Sequence, residues 1–160
     1  MDRKQFTAYV ETTQGALRRF LVALCCGDAA LADDLAQETY IKAYLSSDGF
    51  RDDEKFAAWI RRIAFNTFVS YRRQQRLTAP LQEEAATAIA AEQSDGAFKY
   101  QALYAALAKL SEKERTAVVL YYLEGYAVKE ISTIVESSED SVRQQLSRGR
   151  VHLKSLLTAL

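Results

Sequence analysis

The sequence predicts an all-α protein of two small helical domains joined by a flexible linker. In both halves of the chain, apolar residues recur at the spacings of three and four that stack side chains on one helix face, and no segment alternates as a strand does. Between the halves lies a stretch rich in Ala, Glu and Gln that holds the only proline, Pro80. We therefore predict domains at 1–76 and 99–160 with a linker at 77–98.

The first domain is predicted to contain three helices. The first carries apolar residues from Phe6 to Leu24 and ends at Cys25-Cys26-Gly27. Asp28 is placed to cap the second helix, since an aspartate side chain accepts from the first free amides. A turn-rich acidic loop, 46–54, then leads into a third helix that runs from Lys55 to about Arg76.

The second helix has two distinct faces. Its apolar side carries Leu31, Leu35, Thr39, Ala43 and Tyr44. Another side carries Asp34, Gln37, Glu38 and Ile41. Such a polar cluster is usually a solvated surface, but it could equally form a docking patch for a protein partner.

The third helix separates an apolar face from a basic one. The inward residues are Phe56, Trp59, Ile60, Ile63, Thr67 and Tyr71, and the opposite side holds Arg61, Phe65 and Arg72, with Arg62 and Arg73 at its edge. Cations with an exposed aromatic ring suit single-stranded nucleic acid, whose phosphates attract charge and whose bases stack. The alternative is a solvated basic face with Phe65 packed against a neighbour.

The second domain has the order of a helix-turn-helix. Ser111 and Glu114 are spaced as a capping box, which predicts a helix that ends at Gly125 in the left-handed conformation. A short helix follows, carrying Val128, Ile131, Ile134 and Val135, and Ser138 is placed to cap the last helix. In a helix-turn-helix reader, that last helix enters the major groove.

The last helix has one apolar stripe and otherwise polar or basic faces. Val142, Leu146, Gly149, Leu153 and Leu156 fall on one side, and no acidic residue follows Ser141. Its other faces carry Arg143, Gln144, Ser147, Arg148, Arg150 and Lys154. This pattern favours a nucleic-acid groove; the alternative is a three-helix packing module whose basic face is merely solvated.

The sequence offers no constellation for catalysis, a metal or a cofactor. It has no phosphate-binding glycine loop and no nucleophile paired with a base, and its one histidine, His152, is predicted on the surface. The adjacent Cys25 and Cys26 are poorly placed to chelate or to bridge, so we interpret them as buried thiols in a reducing cytosol. No signal peptide or membrane-spanning stretch is visible, which predicts a cytoplasmic protein without membrane insertion.

Two motifs in the right order resemble those of extracytoplasmic-function (ECF, group IV) sigma factors of bacterial RNA polymerase. The segment from Asp34 to Tyr44, then Gly49-Phe50-Arg51 and 56–66, resembles the family's region two. Ala106 to Leu110, Glu124-Gly125, 129–131, and 141–150 resemble its region four. The resemblance covers nearly the whole chain and implies a region-two helical bundle and a region-four helix-turn-helix.

The resemblance implies a function in promoter-specific initiation of transcription. Asp34, Gln37, Glu38 and Ile41 would dock on core RNA polymerase, whose largest-subunit clamp helices and flap are the implied contacts. The minus-ten element would be met by Asp48, Phe50, Arg51, Lys55, Arg61, Arg62, Phe65, Asn66, Arg72 and Arg73. The minus-thirty-five element would be met by Ser141, Arg143, Gln144, Ser147, Arg148, Arg150 and Lys154. The partners are thus core polymerase and promoter DNA, with an anti-sigma factor as a further expectation of the resemblance alone.

The chain departs from the family pattern at three places. Asp52-Asp53-Glu54 follows the Phe-Arg loop where a glycine is common, Ala127 stands where a capping Ser or Thr is usual, and Glu139-Asp140 precedes the last helix. Two other functions compete: a stand-alone helix-turn-helix regulator, and a helical adaptor that never binds DNA. The regulator needs only the second domain, so it leaves the Asp34-Gln37-Glu38 face and the helix from Arg61 to Arg76 unexplained. Alanine at both Arg143 and Arg148 would separate the adaptor from the DNA-binding functions.

Overall fold

The computed structural model describes residues 1–51, 55–78 and 95–158, and every regular element in those ranges is helical. In chain order the α-helices are α1 (Arg3–Leu24), α2 (Ala29–Leu45), α3 (Phe56–Thr78), α4 (Asp95–Ala108), α5 (Glu112–Val118), α6 (Val128–Ile134) and α7 (Glu139–Thr158). A 3₁₀ turn lies at Ser47–Gly49 and a π-helical turn at Val119–Leu123. The all-α prediction is confirmed.

Local capping explains where the first two helices begin. The Asp2 carboxylate accepts from the Gln5 amide at 2.8 Å, and the Asp2 amide donates to the Gln5 side chain at 3.3 Å. Asp28 accepts from the Leu31 amide at 3.1 Å, which confirms the predicted cap of α2. The turn between the helices uses Gly27 at φ 92°, a left-handed conformation that favours glycine.

Helices α1, α2 and α3 pack around a shared apolar core. Leu17 and Leu21 of α1, Leu35 and Ala43 of α2 and Ile60 of α3 are all buried. These positions recur at helical spacing, so each helix turns one stripe inward.

One inward assignment on α2 is wrong. Tyr44 is half exposed and only the edge of its ring meets Phe6, with centroids 5.3 Å apart. Tyr44 directly follows the buried Ala43, and a step of one residue turns a side chain about 100° around the helix.

The helix-turn-helix of the second half forms as predicted, with one exception in its capping. Ser111 accepts from the Glu114 amide at 3.1 Å, so the Ser111 cap is confirmed. The Glu114 carboxylate instead meets His152 Nδ1 at 3.0 Å. The second half of the capping box is therefore replaced by a contact between α5 and α7.

The turns that bound α6 follow the predicted chemistry. Gly125 has φ 77°, and the Ser141 amide donates to Ser138 Oγ at 3.1 Å. At Ala127, which has no capping side chain, the backbone amide donates to the Glu130 carboxylate at 3.2 Å. Glu130 therefore supplies part of the cap that a Ser or Thr would give.

The two halves pack against each other. Helix α3 contacts α6, and the buried Arg115 of α5 bridges the halves, because its guanidinium donates to Leu24 O of α1 at 2.8 Å and to Leu107 O of α4 at 2.9 Å. Burial lowers the pKa of Arg115, and these carbonyl contacts replace the water that its charge has lost.

The helices extend beyond the predicted domain limits. Leu77 and Thr78 belong to α3, and α4 already begins at Asp95, so both ends of the predicted linker are helical. Pro80 and the rest of that linker, like Asp52-Asp53-Glu54, lie outside the described residues.

Candidate nucleic-acid interface

The predicted docking face of α2 is exposed, and it extends beyond the four predicted residues. Asp34, Gln37, Glu38 and Ile41 all lie on the surface. Ile41 is 61% exposed, and one turn further Leu45 is 79% exposed. An acidic stripe that continues into unpartnered apolar side chains is typical of a protein-binding surface. Leu45 was not among the predicted residues, although its spacing of four from Ile41 places it on the same helix face.

The loop after α2 is anchored by aromatic packing. Phe50 lies half buried, with its ring centroid 5.2 Å from that of Trp59 and 5.9 Å from that of Tyr9, both edge-on. The side chains of Asp48, Arg51 and Lys55 are exposed around it. Phe50 therefore positions the loop, and the charged residues beside it are the ones presented to solvent.

The basic face of α3 is largely covered by the second half of the chain. Arg61 is 3% exposed and its Nη2 lies 3.1 Å from Glu124 Oε2. Phe65 is 7% exposed and lines a cavity of about 220 Å³ together with Val135 and Val142. The expectation that Phe65 is exposed is wrong in this structure, because the helix-turn-helix packs on that side of α3. Its predicted role at DNA stays a prediction.

The other predicted residues of α3 lie around the rim of this contact. Asn66 is exposed and donates to Glu136 at 3.3 Å, whereas Arg72 is half buried with Nε 3.5 Å from Glu112 Oε1. Arg73 is exposed, and Arg62 is half buried. The contact between the halves therefore includes or borders five of the six predicted strand-binding residues of α3: Arg61, Arg62, Phe65, Asn66 and Arg72. Arg73, the sixth, is exposed to solvent.

The outer face of α7 is open to solvent. Gln144, Ser147, Arg148 and Lys154 are exposed, while Val142, Leu146 and Gly149 are buried against the domain. Ser141 is half buried. The predicted division of α7 into an inner apolar stripe and an outer polar surface is confirmed.

Arg143 is held by the acidic residues that open α7. Its Nη1 lies 2.9 Å from Asp140 Oδ1, and its Nη2 lies 3.6 Å from Glu139 Oε1. Glu139 and Asp140 therefore direct the guanidinium of Arg143 at the start of the helix, in addition to favouring the positive end of the helix dipole.

Arg150 is positioned by Tyr122, which was not among the predicted site residues. Its guanidinium donates to the Tyr122 hydroxyl at 3.1 Å, and Tyr122 belongs to the π-helical turn. Exposed Tyr121 and Leu123 flank it. Tyr122 is half exposed and lies in this π-helical turn, within the stretch where a regular helix ending at Gly125 was predicted.

The two cysteines were predicted to be buried, and the structure buries Cys26 but leaves Cys25 half buried. Burial raises the pKa of the Cys25 and Cys26 thiols well above the usual range. Both line a cavity of about 70 Å³ between the halves, beside Phe68 and Arg115. Among the described residues, no His, Cys, Asp and Glu side chains gather in a group that could hold a metal ion. None of the described helices has the length and apolarity needed to cross a membrane.

Two protein-family descriptions match separate parts of the chain. Residues 9–78 match Sigma-70 region 2, and residues 100–153 match Sigma-70, region 4. These ranges coincide with α1 to α3 and with α4 to α7, so each family region corresponds to one helical unit.

Characterised relatives and solved structures agree with that match. The chain is 30% identical to ECF RNA polymerase sigma factor SigW of Bacillus subtilis, over 84% of this chain and 79% of the relative. It is 29% identical to EcfG of Rhodopseudomonas palustris, over 89% and 79%. The fold resembles sigma factor RpoE of Bartonella quintana, solved with anti-sigma factor NepR, with a TM-score of 0.77 and 25% identity over 97% of this chain and 98% of that one. It also resembles CnrH, solved with the cytosolic domain of CnrY, with a TM-score of 0.74 and 24% identity over 99% and 90%.

Proposed function

Given that this chain belongs to the ECF family of RNA polymerase sigma factors, we propose which of its surfaces bind core polymerase and which bind promoter DNA. The protein binds core RNA polymerase and directs promoter-specific initiation of transcription. The single observation that carries this conclusion is the presence of region 2 and region 4, in order, on two helical units of one chain. A stand-alone helix-turn-helix regulator is not favoured, because it leaves the whole region-2 unit without a role. Sigma factors are not enzymes, and we assign no catalytic residue.

The proposed polymerase-docking face is the α2 stripe of Asp34, Gln37, Glu38 and Ile41, extended by Leu45. The proposal is supported by the exposure of Ile41 and Leu45. Docking would bury their apolar side chains, and removing apolar surface from water stabilises a complex. The acidic residues beside them favour a basic partner and would fix the orientation of the complex. Residues 1–76 form the proposed docking and minus-ten domain, with 77–98 as the linker.

The proposed minus-ten surface combines the loop around Phe50 with α3. Asp48, Arg51 and Lys55 surround the anchored Phe50 ring, and an extruded base needs such a rigid rim to be captured. Arg61, Arg62, Asn66, Arg72 and Arg73 follow along α3 and would hold the separated strand by its phosphates. This assignment rests on the family and on the spacing of these cations on one helix.

The proposed minus-thirty-five surface is the outer face of α7, within the proposed domain 99–160. Arg143, Gln144, Ser147 and Arg148 are placed to meet base edges, since arginine and amide side chains pair with guanine and adenine in the major groove. Ser141, Arg150 and Lys154 flank them and are placed for phosphates. Tethering two modest DNA contacts to one polymerase makes the second contact intramolecular, so both sum to promoter choice.

We further propose an anti-sigma factor as a partner and the cytoplasm as the place of action. The first is supported by the RpoE structure, in which the sigma factor is bound to the anti-sigma factor NepR. The cytoplasmic location is supported by the family, whose members act together with RNA polymerase.

The test is run-off transcription from a promoter library with purified bacterial core polymerase. Added protein should yield transcripts from promoters that share two spaced sequence elements. Alanine at both Arg143 and Arg148 should abolish those transcripts while polymerase binding persists. Core polymerase that neither binds the protein nor gains a start site would contradict the proposal.

A further inference from the structure

The contact between the two halves of the chain places acidic residues of the second half on the cations of α3. Glu124 meets Arg61 at 3.1 Å, and Glu112 meets Arg76 at 2.6 Å and Arg72 at 3.5 Å. Farther along the same contact, Glu130 lies 3.9 Å from Lys55 and Glu136 accepts from Asn66 at 3.3 Å. Four carboxylates thus run along the helix that is proposed to hold a DNA strand.

These carboxylates contact the same side chains that are proposed to hold phosphates. A guanidinium pairs with a carboxylate and with a phosphate by the same charge-assisted geometry, so one side chain cannot serve both at once. Arg61 is the clearest case, because it is buried with its charge against Glu124 and its guanidinium carbon 5.3 Å from the Tyr126 ring centroid. The closed arrangement and strand binding therefore exclude each other.

We propose that the free protein is autoinhibited, with the acidic surface formed by Glu112, Glu124, Glu130 and Glu136 acting as an internal mimic of the DNA strand. This inference rests on the proposed role of α3 in binding DNA. The acidic surface covers α3 until the two halves separate, and separation exposes Arg61 and Phe65 together.

The contact carries features of an interface that can open. Within the described residues, neither Arg61 Nε nor Glu124 Oε1 has a hydrogen-bond partner although both atoms are buried. Buried polar atoms without partners lower the stability of the arrangement that buries them. The closed state is therefore held by charge and packing, and the two unpartnered buried atoms lower its stability.

Removing single charges tests the mimicry. Glu124→Gln and Glu112→Gln, made separately in the full chain, keep the size of the side chain and its ability to accept a hydrogen bond while deleting the charge. Glu11→Gln is the matched control, since Glu11 is exposed on α1 and carries the same charge. The probe is a fluorescein-labelled single-stranded DNA of mixed sequence, about 12 nucleotides long to fill one such groove.

Opening of the interface has its own readout. Cys25 and Cys26 line the cavity between the halves, so their rate of reaction with a thiol reagent reports separation independently of DNA. We expect both interface variants to gain roughly three- to tenfold in affinity for the probe, because apparent affinity follows the open fraction. Their thiols should react faster as well, while Glu11→Gln changes neither quantity. Circular dichroism of each variant should match that of the parent.

Each contrary outcome has a definite meaning. Unchanged affinity and unchanged thiol reactivity in both variants overturn the autoinhibited state. Faster thiol reaction without a gain in DNA affinity overturns the mimicry, and an equal gain in Glu11→Gln assigns the effect to net charge and overturns it too. Run-off transcription with Arg73→Ala separately tests the role of α3, because Arg73 is exposed in the closed state. Loss of transcript there upholds the proposed function even where autoinhibition fails.

Discussion

Gly149 lies where α7 packs closely against α5. Adding one methyl group there should show how much the stability of the protein depends on that close packing. A Cβ on Gly149 would lie 2.7 Å from Val118 Cγ2, with the Glu114 carbonyl oxygen at 3.6 Å. The first distance is far inside ordinary contact and involves a buried side chain on a packed helix. Either the Val118 side chain must change rotamer or the two helices must move apart.

The expected stability change of Gly149→Ala combines two opposing terms. Alanine in a helix interior is favoured over glycine by about 0.5–1 kcal/mol. Overpacking a filled core costs about 1–3 kcal/mol. We therefore expect a net loss of about 1 kcal/mol in the free energy of unfolding. Binding of a minus-thirty-five duplex should also weaken, because α7 carries the side chains proposed to read the bases.

Urea denaturation followed by circular dichroism measures the first quantity, and fluorescence anisotropy with duplex DNA measures the second. Gly15→Ala is the control, since a Cβ there would meet only the end of the Arg19 side chain at 3.5 Å. That variant should gain about 0.5–1 kcal/mol, as an unobstructed helix position does.

A double-mutant cycle with Val118→Ala identifies the clash itself. Val118→Ala removes the Cγ2 atom that the new methyl group would meet, so the double variant should be more stable than the sum of the single changes by about 1 kcal/mol. If Gly149→Ala stabilises as much as Gly15→Ala and the two changes simply add, the close approach of α7 to α5 is not what Gly149 provides.

Three further results should follow from the exposed and buried side chains. If Arg148 contacts a base, Arg148→Ala should cost about 1–3 kcal/mol of binding free energy at one promoter position; if it contacts a phosphate, the change should lower the salt slope of duplex binding by about one. Anisotropy across a salt series measures both quantities. Unchanged binding at every promoter would show that Arg148 is not part of the DNA surface. Ile41→Ser should weaken polymerase binding while leaving the melting temperature unchanged. The control Leu77→Ser, at a residue that is even more exposed, should alter neither quantity, and equal losses in both variants would argue against the α2 face. Because burial raises the pKa of the Cys25 and Cys26 thiols, the reactive thiolate is scarce at pH 8, so alkylation should be slow in the native protein and fast in urea; rapid native alkylation would contradict their burial.

Local signals accounted for the helices and most of their ends. The cap at Asp28, the cap at Ser138 and the left-handed turn at Gly125 were predicted because each depends on a side chain or backbone preference within a few residues. The inner stripe of α7 followed from spacing alone, since Val142, Leu146 and Gly149 recur once per turn. The regular helix predicted up to Gly125 instead ends in a π turn at Val119–Leu123. That turn changes the number of residues per turn, which no periodicity of a regular helix anticipates.

The order of the motifs and the family resemblance were thus determined by the sequence itself, because they depend on residue identity and spacing. The tertiary structure decided what those residues meet. Periodicity placed Arg61 and Phe65 on one face of α3 but carried no information on what covers that face. Only the packed arrangement brings Glu124 to Arg61, across 63 positions of the chain, and Arg115 to the carbonyl of Leu24, across 91. Contacts at such separations depend on how whole helices dock, which is a property of summed packing and charge that no local pattern encodes.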